Sequence, residues 1–424
     1  YQHTPTMDVL RRVFADKLDI NDSEPLHTFS IPGLEGQTYA LYAPNGGLWN
    51  QLIVAVLIQL FFQIVFAVLI YKLIVQKRGS SSSFITSPFL LGYGVIMPVA
   101  LYIPFEIMEF LLARNRSVKM GFALLPTIVC FRCIEAMHGT SPAAVENSLT
   151  NYVTYYTTVS HFEWDEKTME RRKITAREIG VAFVRIVYFF TAASLWLSFL
   201  IHVNYQPMES TVALDSFHLS FDLLHPAHLI NTYCLLVLVY FVLATGFELT
   251  TFGEQIKGYA TKPIFDNPLF SSRSIREFWG KKWDLMIHRV LKHGAFLPAR
   301  KVFAESGYTP AVSNGMGTLA AFFASGLLHE YTWVCIFYQY RDDDECEENC
   351  FSPLPSKLTL FFLYNCVTML IEHYYGRHLT FFESWPSIIV STLLVLTALP
   401  VSHWYSGDWV VGGYFDDFSV GLWH

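Results

Sequence analysis

The sequence predicts an all-α, polytopic membrane protein, and three observations carry that prediction. First, 52% of the 424 residues are hydrophobic and 16% aromatic, while only 15% are charged, against about 25% charged in an ordinary soluble chain. A soluble chain of this length with so few charges could not cover its surface, and the mean hydropathy of +0.33 points the same way. Second, the apolar residues gather in runs near the ~20 residues that a membrane helix needs. They do not show the short alternating pattern of barrel strands. Third, the ionisable residues sort into separate connecting segments. The same counts argue against intrinsic disorder, a collagen-like chain and a disulfide miniprotein. A net charge of -7 and a pI near 6.1 leave no basic footprint for nucleic acid.

Taken in order, the first span is expected at 52–75, apolar except for Gln59, Gln63 and Lys72 and followed by Lys77 and Arg78. The second, 88–112, is interrupted by Pro98, Pro104 and Glu106. The third, 122–137, is shorter and contains Arg132 and Glu135, which at a spacing of three can pair on one helix face. The nearby Arg114, Arg116 and Lys119 favour a re-entrant or interfacial segment there, and full crossing stays open. The runs 179–202 and 229–252 are strong spans. The run 319–338 carries His329 and Glu330, 358–375 carries Asn365, Glu372 and His373, and 388–404 is the last. The chain therefore reads as seven or eight spans, or about seven to nine membrane segments once interfacial helices are included. Asn314 and Asn365 are candidates for hydrogen bonds across helices.

Charge sets the orientation. Segment 253–318 holds Lys257, Lys262, Arg273, Arg276, Lys281, Lys282, Arg289, Lys292, Arg300 and Lys301. Loop 163–178 holds Lys167, Arg171, Arg172, Lys173 and Arg177. By contrast, 203–228 has no Lys or Arg, and the loop after Tyr340 is dominated by acids from Asp342 to Glu348. The positive-inside rule assigns the first two to the cytoplasm and the other two to the opposite side, which places the C-terminal tail in the lumen. Residues 1–50 form a polar, acidic N-terminal segment ahead of a membrane domain spanning 51–424. The chain starts with Tyr1, so a truncated end is expected, and no cleavable signal peptide is visible. No internal repeat supports a transporter built from inverted repeats.

Of seven cysteines, Cys130, Cys133, Cys234, Cys335 and Cys366 lie in apolar spans and read as small buried hydrophobes. Cys346 and Cys350 flank acidic residues in a loop where a disulfide is plausible. Asn21 and Asn115 each open a glycosylation sequon, a pattern common by chance.

Ionisable residues inside a bilayer are costly, which makes them functional candidates. His329 sits about eleven residues into its run, near mid-membrane at 1.5 Å per residue. A neutral imidazole there suits a general base that takes a proton from an alcohol. The plainer alternative is a His satisfied by a neighbouring helix. Glu330 points about 100° around the helix and faces a different neighbour. Upstream, Ser274 and Glu277 match a capping box. Phe278, Trp279, Trp283, Met286 and Ile287 then recur at helical spacing, with Lys281, Lys282 and Arg289 on the polar side. This predicts one basic amphipathic helix at the cytoplasmic interface. It is either a plain anchor or a capture site for a phosphorylated, anionic ligand.

The run Phe278-Trp279-Gly280-Lys281-Lys282-Trp283-Asp284, followed by His329 in an apolar helix, resembles the membrane-bound O-acyltransferase superfamily. The preceding Pro268-Leu269-Phe270-Ser271-Ser272-Arg273-Ser274 and the segment Ser325-Gly326-Leu327-Leu328-His329-Glu330 look like its wax synthase branch. His329-Glu330-Tyr331 is similar to the active-site segment of diacylglycerol and sterol acyltransferases. The specific resemblance covers 265–338. Asp284 stands where the family usually has Asn, and unlike Asn it can titrate.

This resemblance implies an acyl-CoA-dependent O-acyltransferase of the endoplasmic reticulum membrane, a helical bundle around a buried reaction chamber. Segment 253–318 would be its cytoplasmic interfacial part, and 319–338 the helix with the catalytic His. His329 would be the catalytic base and Asp284 would position a reactant. Phe278, Trp279, Lys281, Lys282, Trp283, Ser325, Glu330 and Asn365 would contact substrate. Acyl-CoA enters as co-substrate, with no resident cofactor and no metal implied. The leading acceptor is a long-chain alcohol, giving wax esters. Diacylglycerol comes second and a sterol or pigment alcohol third. Membrane lipids are expected partners, and nucleic acid is not. Two readings of another class stay open. One is a lipid transporter, supported by Arg132, Glu135, Glu372 and His373. The other is a silent lipid-binding scaffold, which the Asp284 departure allows.

Overall fold

The computed structural model describes residues 11, 13–14, 25, 27–30, 39–41, 46–78, 87–142, 145–158, 162–163, 171–340, 351–375 and 384–415. In chain order its main helices are α1 Gly46–Val75, α2 Pro88–Leu111 and α3 Arg116–His138, then α4 Leu149–Thr157. Next come α5 Ala176–His202 and α6 Pro226–Ile256, α7 Ile275–Glu277 continued by a π turn Phe278–Lys282, α8 Leu285–Leu291 and α9 Leu297–Glu305. The last are α10 Pro310–Ile336, α11 Lys357–Tyr375, and the pair α12 Ser387–Val401 and α13 His403–Val411. A short antiparallel strand pair, His27–Phe29 with Tyr39–Leu41, lies in the N-terminal segment.

Among the described residues, α1, α2, α3, α5, α6 and α10 are long and apolar enough to cross a membrane. The pair α12 and α13, bent by 61°, would make a seventh. The all-α polytopic expectation holds, and two segments differ in length or apolar content from their expected spans. The third expected span is part of one continuous helix of 23 residues that ranks among the six. The expected span 358–375 does form a helix, α11, but it is not among the six. Asn365, Thr368, Glu372 and His373 dilute its apolar run.

Local chemistry explains the helix ends. The Asn115 side chain accepts from the Ser117 and Val118 amides at the start of α3, and Gly139, at φ +66°, closes its other end. Only a residue free of Cβ strain adopts that conformation cheaply. Thr175 and Glu178 form a reciprocal capping box on α5. Proline opens α6 and α10, where its missing N–H costs nothing.

The chain divides into two compact units: 1–18, 46–158 and 289–367 in unit 1, and 19–45, 159–288 and 368–424 in unit 2. Within unit 1, Phe66, Ile70 and Tyr71 of α1 pack with Val129 and Cys133 of α3 and Tyr152 of α4. Arg132 and Glu135 pair as expected, at 2.7 Å and fully buried. The Tyr155 hydroxyl donates to Glu135 at 2.7 Å, and the Arg132 guanidinium lies 3.8 Å from the Tyr155 ring centre. This second acceptor contact satisfies a carboxylate that would otherwise be poorly compensated. Within unit 2, Phe189 of α5 and Tyr240 of α6 join Phe265, Phe278 and Leu399 in one core. Trp196 ties α5 to α6 through the Cys234 carbonyl at 2.8 Å.

Cys133, Cys234, Cys335 and Cys366 are buried thiols and Cys130 is half-buried, as their apolar settings predict. Cys346, Cys350, the acidic run 342–348, Lys167 and the Asn21 sequon lie outside the described residues.

Candidate active site

The expected site residues fall in two places. Phe278, Trp279, Lys281, Lys282, Trp283 and Asp284 belong to unit 2, and Ser325, His329, Glu330 and Asn365 to unit 1. Each group is coherent within its own unit.

In unit 2 the structure corrects the single amphipathic helix. After α7 the backbone takes one π turn, closed by the Trp283 amide donating to the Phe278 carbonyl at 2.8 Å. It then leaves the helix: Trp283 is extended and Asp284 has φ +39°. Helix α8 restarts at Leu285. Asp284 causes the restart, because its Oδ1 accepts from the Ile287 amide at 3.1 Å and so caps α8. Asp and Asn are the non-glycine residues that best tolerate a left-handed φ, and both can cap. On backbone grounds, Asp and Asn are therefore interchangeable at this position.

The capping box is half realised. Ser274 accepts from the Glu277 amide at 2.9 Å, but the Glu277 carboxylate returns to the Arg273 amide, one residue earlier, at 2.7 Å. The first amides of α7, those of Ile275 and Arg276, donate to the Glu372 carboxylate at 2.8 and 3.1 Å. Glu372 thus caps a helix start, where a negative charge is favoured.

The aromatic residues turn inward. Trp283 stacks on Phe278 at 5.3 Å and 16°, meets Phe265 edge-on at 5.3 Å and lies 6.4 Å from Tyr240. Trp279 touches Phe278 and Trp283. The two lysines differ. Lys282 donates to the Ser271 carbonyl and hydroxyl at 2.7 and 2.8 Å and pairs with Glu277 at 3.3 Å, so it holds the Ser-rich turn. Lys281 is exposed. Two backbone bonds, Asp266 to Lys282 and Leu285 to Ile264, both 3.0 Å, clamp segment 264–266 beside the Asp284 break. Burial of the Asp284 carboxyl pushes it up to about 7, against the pull of the Ile287 and Met286 amides.

In unit 1, His329 is half-buried on α10. Its Nδ1 lies 2.7 Å from the Ser325 carbonyl oxygen. A carbonyl only accepts, so that partner assigns the proton to Nδ1 and leaves Nε2 as the basic nitrogen of the neutral ring. The ring lies 4.6 Å from that of Phe362 on α11. Glu330 accepts from the Thr359 amide at 3.0 Å. The neighbour it was expected to face is therefore the first turn of α11. Asn365 is buried, and its amide donates to the Phe361 carbonyl of its own helix at 2.8 Å. Gly326 allows the approach: a Cβ there would lie 2.6 Å from the Thr359 Cα. Likewise Gly317 admits the Phe296 ring and carbonyl.

Sequence reasoning missed Gly326, Thr359 and Phe362. A glycine three residues before His329 in an apolar helix is the available signal, since small residues let helices approach closely. Thr359 and Phe362 leave no comparable mark.

Residues 261–351 match the Membrane bound O-acyl transferase family, a stretch that includes both Asp284 and His329. Among similar proteins of Arabidopsis thaliana, probable long-chain-alcohol O-fatty-acyltransferase 1 is 30% identical over 106 residues, 25% of this chain and 30% of that protein. Probable long-chain-alcohol O-fatty-acyltransferase 2 is 33% identical over 107 residues, 25% and 29% of the two chains. Acyl-CoA–sterol O-acyltransferase 1 is 26% identical over 142 residues, 32% and 36%. The matched stretch thus spans about a third of these relatives' own length. The family match and these relatives bear out the resemblance of this chain to the membrane-bound O-acyltransferase superfamily, on its wax synthase-like branch.

Proposed function

We propose that this protein transfers a fatty acyl group from acyl-CoA to the hydroxyl of a long-chain alcohol, forming a wax ester in the endoplasmic reticulum membrane. The observation that carries the reading is the 2.7 Å contact between His329 Nδ1 and the Ser325 carbonyl oxygen, which assigns the ring proton to Nδ1. With Nδ1 tied to Ser325, Nε2 is the nitrogen able to accept a hydroxyl proton. His329 lies within the matched family stretch.

In the proposed reaction, His329 Nε2 takes the proton as the alcohol oxygen attacks the thioester carbonyl. The C–O bond forms, the C–S bond breaks, and the departing CoA sulfur takes the proton back from the imidazolium. No acyl-enzyme is required. Asp284 is the second candidate catalytic group. Near neutrality its carboxyl is available both as an acid that donates and as a carboxylate that accepts. Exposed Lys281 is the basic group suited to a CoA phosphate.

Purified protein given labelled acyl-CoA and a panel of alcohols tests this. Ester formation strongest with long-chain alcohols supports it. CoA release with no ester from any alcohol defeats it. The sterol-acyltransferase relative favours a sterol as the second acceptor to include.

A further inference from the structure

Three contacts join the same short stretch of α10 to the first turns of α11. The Gly326 backbone meets Thr359, with no room for a Cβ. The Glu330 carboxylate accepts from the Thr359 amide at 3.0 Å. The Phe362 ring lies against His329. Thr359 is the third residue of α11, and the third amide of a helix has no partner within it. An ordinary helix start supplies that acceptor from its own N-cap side chain, on an extended backbone. Here the preceding Ser356 has φ +72°, and a carboxylate from another helix reaches the amide. A negative charge is favoured at that end of a helix.

We propose that Glu330 is a positioning residue for His329. Its carboxylate locks the start of α11 onto α10, and that lock sets Phe362 against the imidazole and so fixes where Nε2 points. Gly326 acts with it by letting the two backbones meet. The role rests on His329 being the catalytic base, and it makes Glu330 a residue that acts through its neighbour rather than by touching substrate.

The test combines kinetics with a geometric readout. Glu330→Ala should lower kcat by about tenfold or more with KM for the alcohol little changed, the pattern of a misplaced catalytic group. Glu330→Gln keeps an oxygen that can accept from the Thr359 amide and should recover most of that loss. Thr359→Pro removes the amide at a helix position where proline is tolerated. In that background, Glu330→Ala should add little, since two changes to one contact are not additive. Independently of ester synthesis, carbethoxylation of His329 by diethyl pyrocarbonate, read by peptide mass spectrometry, should change several-fold in Glu330→Ala and little in Glu330→Gln. Where Glu330→Ala fails to fold, Gly326→Ala disturbs the same crossing from the other side and should alter His329 modification in the same way. Unchanged carbethoxylation, or fully additive losses with Thr359→Pro, would overturn the positioning role. Absence of ester from the unsubstituted protein would defeat the enzymatic reading instead, and the modification rates would still report the geometry.

Discussion

The Nδ1 atom of His329 lies 2.7 Å from the carbonyl oxygen of Ser325, one turn earlier on the same helix. The acceptor is backbone, so the tautomer is set by α10 itself. A backbone acceptor on the same helix thus takes the place that a carboxylate holds beside the His of a Ser-His-Asp triad.

Asp284 makes stability depend on pH. Its carboxyl is raised from 3.8 to about 7 in the folded protein. Between those values the folded chain keeps a proton that the unfolded chain has released. The group's contribution is therefore complete below about pH 4, falls as pH rises toward 7, and is flat above. Asp284→Asn keeps the cap and tolerates the left-handed backbone but cannot titrate. Thermal unfolding in detergent from about pH 5 to pH 8 should decline in the native protein and flatten in the variant. Parallel profiles would contradict the burial of this carboxyl.

The two lysines of the Trp-rich segment should separate. Lys281→Glu should raise the KM for acyl-CoA and spare that for alcohol. High salt should mask the effect, because exposed charges are screened. Lys282→Glu should also lower thermal stability, since it breaks bonds to Ser271 and Glu277. A change confined to the alcohol KM would remove this segment from the CoA side.

The buried polar cluster of unit 1 should respond asymmetrically. Burial, and then the nearby Arg132 guanidinium, push Arg289 below its usual range, while Glu135 acts in the other direction. Glu135→Gln leaves the buried Arg132 guanidinium and the half-buried Arg289 with one less countercharge and should cost about 3–5 kcal/mol. Arg132→Met leaves Glu135 still accepting from Tyr155 and should cost less. Equal losses in thermal unfolding would show that Arg289 plays no part.

What was legible in the sequence follows from how far each signal reaches along the chain. The spans 52–75, 179–202 and 229–252 are recovered as helices because bilayer length and apolar content are local properties. The Arg132–Glu135 pair was legible from its spacing of three. The break at Trp283–Asp284 was hidden, because the aromatic spacing runs through it and Asp284 reads as one more polar-face residue. Its cue was an Asp directly before an apolar helical run, an N-cap pattern. Helix α11 forms where the sequence places it, and its apolar stretch is shortened by Lys357 at one end and by Glu372 and His373 at the other. The carboxylates of Glu330 and Glu372 bind backbone amides 29 and 97 residues away. A side chain bonded to a distant backbone imposes no residue type on its partner, so no pattern records it.

The central claim is that His329 takes the hydroxyl proton. Its most direct measurement is ester synthesis by purified protein and its His329→Ala variant, with labelled acyl-CoA and a long-chain alcohol, after confirming equal folding. The account predicts that the variant loses at least about a hundredfold in kcat, the usual scale of a lost general base, while still binding acyl-CoA. Ester synthesis at the native rate in the variant would contradict it.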